Sequence, residues 1–237
     1  MVSKKKLNIS SKELNTIKPI TDNQKEVFAS YEKGQNLFLY GVAGTGKTFV
    51  ALYNALKDVL DPKSPRERVY IVRSLLPTRD IGFLPGDEED KSYLYQVPYQ
   101  NMVRFMFQRG SDAEFDRLYT DLRNQGTVDF LSTSFLRGIT IDNGVIIVDE
   151  CQNLNFHELD TIMTRVGQNT RIVFAGDIQQ TDLTKTNDRN GILDFVNIMQ
   201  QMKEVDCIEF DLGDIVRSGV LKSYLIEKIK MGLHYEQ

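Results

Sequence analysis

The sequence predicts one α/β domain, a mostly parallel sheet with helices on both faces. Three observations predict it. Short apolar runs such as 36–40 (NLFLY), 69–72 (VYIV) and 145–148 (VIIV) have the continuous apolar character of buried parallel strands. Between them lie segments whose apolar residues recur at helical spacing, Phe49, Val50, Leu52, Tyr53, Leu56 and Leu60 being one set. Finally, 237 residues with 41% hydrophobic and 26% charged side chains suit a single generous core, and no internal repeat or linker divides the chain.

The elements follow in order. Residues 1–20 include Lys4, Lys5 and Lys6 without helical periodicity, and read as a flexible basic arm ahead of a domain at 21–237. Thr21 or Asp22 caps a helix through Glu26, Val27, Phe28 and Tyr31 that stops at Gly34. The strand at 36–40 enters a glycine-rich loop. After the strand at 69–72, Pro77, Gly82, Pro85 and Gly86 mark an ordered loop, and helices are expected at 99–108 and 113–124. Further strands are expected at 128–131, 145–148, 171–174 and 205–210, and helices at 157–166, 192–202 and 220–231.

Composition excludes some classes. The 33 acidic and 29 basic residues leave a net charge of −4, against a protein that coats nucleic acid by global charge, though not against a local basic channel. Cys151 and Cys207 are too few for a disulfide framework or a zinc site. No apolar run reaches the roughly 18 residues of a membrane span, and the basic start lacks the apolar segment of a secretory signal. A cytoplasmic protein without a membrane partner is expected.

The loop Gly41-Val42-Ala43-Gly44-Thr45-Gly46-Lys47-Thr48 fits G-x-x-x-x-G-K-[ST] between an apolar strand and a helix. Its glycines let backbone N–H groups curl around a phosphate, Lys47 neutralises β- and γ-phosphate oxygens, and the Thr48 hydroxyl is a Mg2+ ligand. The strand at 145–148 ends in Asp149 and Glu150. In a parallel sheet both acids meet the loop at the carboxyl ends of the strands, Asp149 holding Mg2+ and Glu150 activating the attacking water. The strand at 171–174 leads to Asp177 and to Gln180, whose amide suits a sensor of the γ-phosphate. ATP and Mg2+ are the cofactors so implied.

The order of these motifs resembles the PhoH-like family of P-loop ATPases, related to the first RecA-like domain of superfamily 1 helicases. The resemblance spans roughly residues 20–230: TDNQ at 21–24, GVAGTGKT at 41–48, RDIGFLPGD at 79–87 with Lys91 and Tyr93, FLRGIT at 135–140, IVDECQN at 147–153, LDTIMTRVGQN at 159–169, GDIQQTDL at 176–183 and DIVR at 214–217. Val42, Cys151, Thr184 and Ser218 depart from the usual family residues without removing a required functional group. The resemblance implies a single RecA-like P-loop NTPase domain in which Gln24 reads adenine and Arg217 reaches a γ-phosphate.

A second RecA-like domain, the usual source of an arginine finger, has no room in this chain. The expectation is therefore a homo-oligomer, a hexameric ring by family resemblance, with Arg217 as first candidate for the finger and Arg165 and Arg137 behind it. Arg73, Arg79, Arg104, Arg109 and Arg137 with Tyr93, Tyr95, Tyr99 and Phe105 offer charge and stacking surface for RNA or single-stranded DNA, or are ordinary core and surface residues. The leading expectation is an ATPase coupled to RNA or single-stranded DNA. The alternative is a nucleotide-dependent oligomeric switch or partner-binding module, beside a separate nuclease for example. A small-molecule kinase ranks last, because Asp149, Glu150 and the Gln180 loop favour water as acceptor.

Overall fold

The computed structural model describes residues 9–73, 88–133, 136, 138–177, 186–216 and 219–231. The first helix, α1 (Asp22–Lys33), is capped by the Thr21 hydroxyl, which accepts from the Gln24 amide, and is closed by Gly34 at φ 98°. Then come β1 (Asn36–Gly41), α2 (Lys47–Val59), β2 (Arg68–Arg73), α3 (Glu88–Phe107), α4 (Asp112–Asn124) and β3 (Val128–Leu131). They are followed by β4 (Gly144–Asp149), α5 (Phe156–Met163), β5 (Arg171–Gly176), α6 (Thr186–Gln201), β6 (Val205–Phe210) and α7 (Gly219–Lys230).

All six strands are parallel, in the order β3-β2-β4-β5-β1-β6. The domain is thus the expected RecA-like α/β architecture. One strand, β5, separates β1, which feeds the glycine loop, from β4, which ends in the acids.

The strand alternation sorts the core into two layers. Leu37, Leu39, Val69, Ile71, Val145, Ile147 and Val173 point to one face, where α1, α2, α3 and α4 cover them. Phe38, Val72, Ile146, Val148, Ile172 and Phe174 point to the other, against α5 and α6. Both layers being apolar is why β4 reads as an unbroken run, buried at every position.

Two expectations are corrected. From Ile9 onward the expected loose arm is packed: Ile9 is buried, Leu14 and Ile17 lie on the core, the Asn15 amide donates to the Met106 carbonyl (2.8 Å), and Tyr53 donates to the Asn15 carbonyl (3.1 Å). Three spaced apolar residues anchor the segment, which holds one capped 3-10 turn at Ser11–Glu13 and has no helical period to read. The helix expected at 99–108 begins at Glu88 and continues through Pro98. Among its described side chains, the buried apolar ones, Tyr99, Val103, Met106 and Phe107, lie in its second half, where the sequence shows periodicity. The loop expected around Pro77 to Gly86 lies outside the described residues.

At the amino ends of the strands, Asp58 at the end of α2 gathers a structural ion cluster. It accepts from Arg66 Nε (2.6 Å), Ser64 Oγ (2.5 Å) and Tyr31 Oη (3.0 Å), with Arg171 at 3.8 Å. Burial pushes its carboxyl upward, but the hydrogen bonds from Ser64 and Arg66 and the Arg66 charge hold it below the usual carboxylate range.

Candidate functional site

The glycine loop is shaped by the backbone before any ligand chemistry enters. Gly41, Gly44 and Gly46 have φ of 114°, 79° and 84°, values that disfavour residues with a Cβ. At Gly41 a Cβ would also lie 2.1 Å from the Phe210 carbonyl oxygen of β6. With Val42, Ala43 and Thr45 they form the turn between β1 and α2, and Gly46 begins α2 without any side chain capping it. The orphan N–H groups of that first turn are the kind an anion satisfies.

Lys47 is 8% exposed and donates from Nζ to the carbonyls of Gly41 (2.8 Å) and Val42 (2.7 Å), with Thr45 Oγ1 at 3.4 Å. Burial lowers its pKa, while Asp177, Glu150 and Asp149 act in the opposite direction. Its ammonium is therefore held in the loop with three acids around it. Thr48, one residue on, donates from Oγ1 to Asp149 Oδ1 at 2.6 Å. That bond joins α2 to the end of β4 across the intervening strand.

Asp149 is 6% exposed, and its other oxygen, Oδ2, accepts from the Tyr99 hydroxyl at 2.6 Å. Burial and the neighbouring Glu150 raise its pKa, and the hydrogen bonds from Thr48 and Tyr99 oppose them. Arg73, paired in register with Asp149 at the end of β2, lies by Tyr99 and both acids, whose charges raise its own pKa against the effect of burial.

Glu150 adopts a left-handed conformation, φ 52°, which turns the chain sharply off β4. Its carboxylate accepts from Gln152 Nε2 at 2.6 Å, and the Gln152 carbonyl oxygen accepts from the Asp177 amide at 3.0 Å. One buried amide thus links the Glu150 carboxylate to the end of β5. Cys151, fully buried beside Gly176, has its thiol pKa pushed up by burial and serves as packing.

Of the residues expected in the site, Gly41, Ala43, Gly44, Thr45, Gly46, Lys47, Thr48, Asp149, Glu150 and Asp177 meet at the carboxyl ends of the strands. Gln24 reaches the loop from α1: its Nε2 donates to the Thr45 carbonyl (3.0 Å) and its Oε1 accepts from the Ile20 amide (2.9 Å). The buried amide ties α1 to the loop. Gln180, Arg217 and Arg137 lie outside the described residues. Arg165 donates to the Ile139 carbonyl and adjoins the Ile141–Val166 bridge ahead of β4 and β5, at the opposite end of the sheet.

The expected stacking surface is largely spent inside the chain. Tyr99 is 2% exposed, Arg104 lies over the Phe115 ring and pairs with Asp112, and Arg109 pairs with Glu13. Phe105 alone of the described aromatics in that set is exposed. Tyr93 and Tyr95 lie among residues whose side chains are not described.

Three residues escaped the sequence reading. Gln152 stands inside the IVDECQN segment, but its twofold bonding is visible only once β4 and β5 are neighbours. Asp214 accepts from Asn23 Nδ2 (2.7 Å) and fastens α1 to the turn before Val216. Tyr99 looked like one aromatic among several.

The sequence profile described as PhoH-like protein matches residues 16–228. The chain belongs to the PhoH-like family. It is 34% identical over 159 residues to Protein PhoH2 of Bacillus subtilis, covering 67% of this chain and 35% of that one. To Protein PhoH of Escherichia coli K12 it is 29% identical over 216 residues, 91% of this chain and 59% of that one. The PhoH-like chain therefore spans about a third to three fifths of the length of these curated relatives. Among solved structures, it is similar to Bacteroides Pif1 bound to single-stranded DNA, at 15% identity and TM-score 0.40, covering 91% of this chain and 46% of that one. With the phosphate loop and acid pair in place, the domain is that of a nucleotide-binding, ATPase-like protein. Among the described residues no helix is long and apolar enough to cross a membrane.

Proposed function

We propose that this PhoH-like domain binds ATP with Mg2+ and hydrolyses it, in a cycle coupled to RNA or single-stranded DNA. The observation that carries the reading is the 2.6 Å hydrogen bond between Thr48 Oγ1 and Asp149 Oδ1, beside an uncapped helix N-terminus. Two hard oxygen donors face one another where phosphates would lie, and this donor set fits Mg2+. Among the described residues no three His, Cys, Asp or Glu side chains are placed to hold a metal ion between them. Mg2+ asks for no such cage, taking one or two protein oxygens with water and phosphate oxygens for the rest.

When bound, Mg2+ would neutralise charge developing on the β- and γ-phosphate oxygens. Thr48 and Asp149 would hold it, and the loop amides and Lys47 would cradle the phosphates. Glu150 would orient and deprotonate the attacking water, its carboxylate steadied by Gln152. Gln180, beyond β5, is assigned the γ-phosphate sensor role, and Gln24 would contact adenine by exchanging one of its present partners.

Arg217 is proposed as the arginine that meets the transition state. The Val216 amide donates to the Gly44 carbonyl (3.4 Å), so Val216 lies beside the phosphate loop. As a finger, Arg217 would meet the nucleotide of a neighbouring subunit in a homo-oligomeric ring. The helicase-like order of the sequence motifs supports the nucleic-acid partner.

The test is the ATPase rate against protein concentration, with and without single-stranded RNA or DNA at low salt. The expected result is Mg2+-dependent hydrolysis, lost in Glu150→Gln while nucleotide binding persists, and stimulated by single strands in a salt-sensitive way. A rate unmoved by every single strand refutes the coupling, and full activity in Glu150→Gln refutes the assigned base. A rate per subunit that rises with concentration assigns the finger to a neighbour.

A further inference from the structure

We infer that Tyr99 is a positioning residue for the Mg2+ site, making the cation affinity of Asp149 depend on α3. The inference rests on the nucleotide-site reading above and adds a residue which that reading does not use.

The geometry is specific. Asp149 has two carboxylate oxygens and each is taken by a different hydroxyl, Oδ1 by Thr48 and Oδ2 by Tyr99, both at 2.6 Å. A single hydrogen bond leaves a carboxylate free to swing about its Cβ–Cγ bond; two bonds from different elements fix its plane. Thr48 comes from α2 and would itself be a metal ligand. Tyr99 comes from α3, in the segment inserted between β2 and β3, and serves as the second anchor. Donors that orient a ligating group from behind are worth about 10- to 100-fold in metal affinity.

The phenol is itself held in place. Its ring is 2% exposed and meets Phe130 edge-on, with centroids 5.4 Å apart. Arg73, in register with Asp149 at the end of β2, lies beside the phenol, whose proton is directed at Asp149. A tyrosine placed only to fill the core would not need its hydroxyl on the one carboxylate that ends β4. An arginine or lysine in its place would bring the same hydrogen bond with a full positive charge, which would oppose the cation that Asp149 is to hold. A neutral donor orients without that competition.

The experiment is a Mg2+ titration of ADP affinity, followed by calorimetry on the full chain, for the wild type, Tyr99→Phe and Phe130→Leu. Tyr99→Phe keeps the ring and removes the hydroxyl; it is expected to raise the Mg2+ concentration at half-effect about tenfold, with ADP affinity in chelator unchanged. Phe130→Leu loosens the packing around the same ring and keeps the hydroxyl; it is expected to lower the melting temperature and leave the Mg2+ midpoint within about twofold of wild type. Replacing Tyr99 by 4-aminophenylalanine, which restores an N–H donor at the ring's far end, is expected to return the midpoint toward wild type and also supplies a folded comparison if Tyr99→Phe melts too low. A wild-type Mg2+ response that is unaltered in Tyr99→Phe, or altered equally in Phe130→Leu, overturns the role of Tyr99 alone. A wild type whose ADP affinity ignores Mg2+ overturns the nucleotide-site reading and this inference with it.

Discussion

Asp58, at the amino ends of the strands, lies against Arg66 and near Arg171, whereas Asp149, at the carboxyl ends, accepts from the neutral hydroxyls of Thr48 and Tyr99 with Glu150 beside it. Both are shielded from water, and their pKa values move in opposite directions, Asp58 down and Asp149 up. The amino-end carboxylate has its countercharge built into the chain. The carboxyl-end one has Arg73 and Lys47 nearby but takes its hydrogen bonds from neutral donors, an arrangement that spends stability to keep a carboxylate ready for a cation.

Exchanging each acid for its amide should separate the two roles. The largest effect is expected for Asp149→Asn, which should lower Mg2+-dependent ATP turnover by about a hundredfold, the scale of losing a preorganised charged group. Because it also removes a buried charge repelled by Glu150, its melting temperature should equal or exceed that of the wild type. A clear drop in thermal stability would mean that Asp149 is structural in the same sense as Asp58. The reverse pattern is expected at the other end. Asp58→Asn leaves Arg66 without its ionic partner and should cost about 2 to 3 kcal/mol in denaturant unfolding, below the full cost of a deeply buried pair because the two side chains keep 11% and 15% exposure. Nucleotide affinity of the folded variant should not change.

Acid sharpens the same contrast more gently. Asp58 is held below its ordinary value, so its contribution to stability is present above the ordinary carboxylate range and is lost as pH falls through the folded value. Asp149 is held above its ordinary value. Between the two values the native state carries more protons than the unfolded chain, so this residue's contribution to stability rises as pH falls. Unfolding free energies measured between about pH 3 and pH 7 should show a shallower acid loss in Asp58→Asn and a steeper net loss in Asp149→Asn than in the wild type, around the ordinary carboxylate range near 4. Parallel profiles would remove the electrostatic distinction between the two ends.

Local order was far more legible in the sequence than lateral order. The limits of α1 follow from Thr21 and Gly34, and β3 and β6 occupy the ranges their apolar residues indicate, because caps and strand runs are written in neighbouring residues. Strand order is not written that way, and β5 lies between β1 and β4 although it follows both in the chain. The phosphate loop and acid pair could be joined in advance because their chemistry demands it. The Tyr99–Asp149 bond spans 50 residues, and Asp58 meets Arg171 only after α2 and β5 are packed, so neither leaves a local signal. The packed segment from Ile9 was hidden for a related reason: it borrows its order from α2 and α3 and has no periodicity of its own.

The most direct test of the central claim, that the carboxyl-end cluster receives a Mg2+-nucleotide while the amino-end cluster only supports the fold, is calorimetric binding of ADP with Mg2+ to the wild type, Lys47→Ala and Asp58→Asn at a temperature where all three are folded. The account predicts equal affinity for the wild type and Asp58→Asn, and at least about tenfold weaker binding for Lys47→Ala, the scale of one lost charge-assisted contact. Wild-type affinity in Lys47→Ala would contradict it.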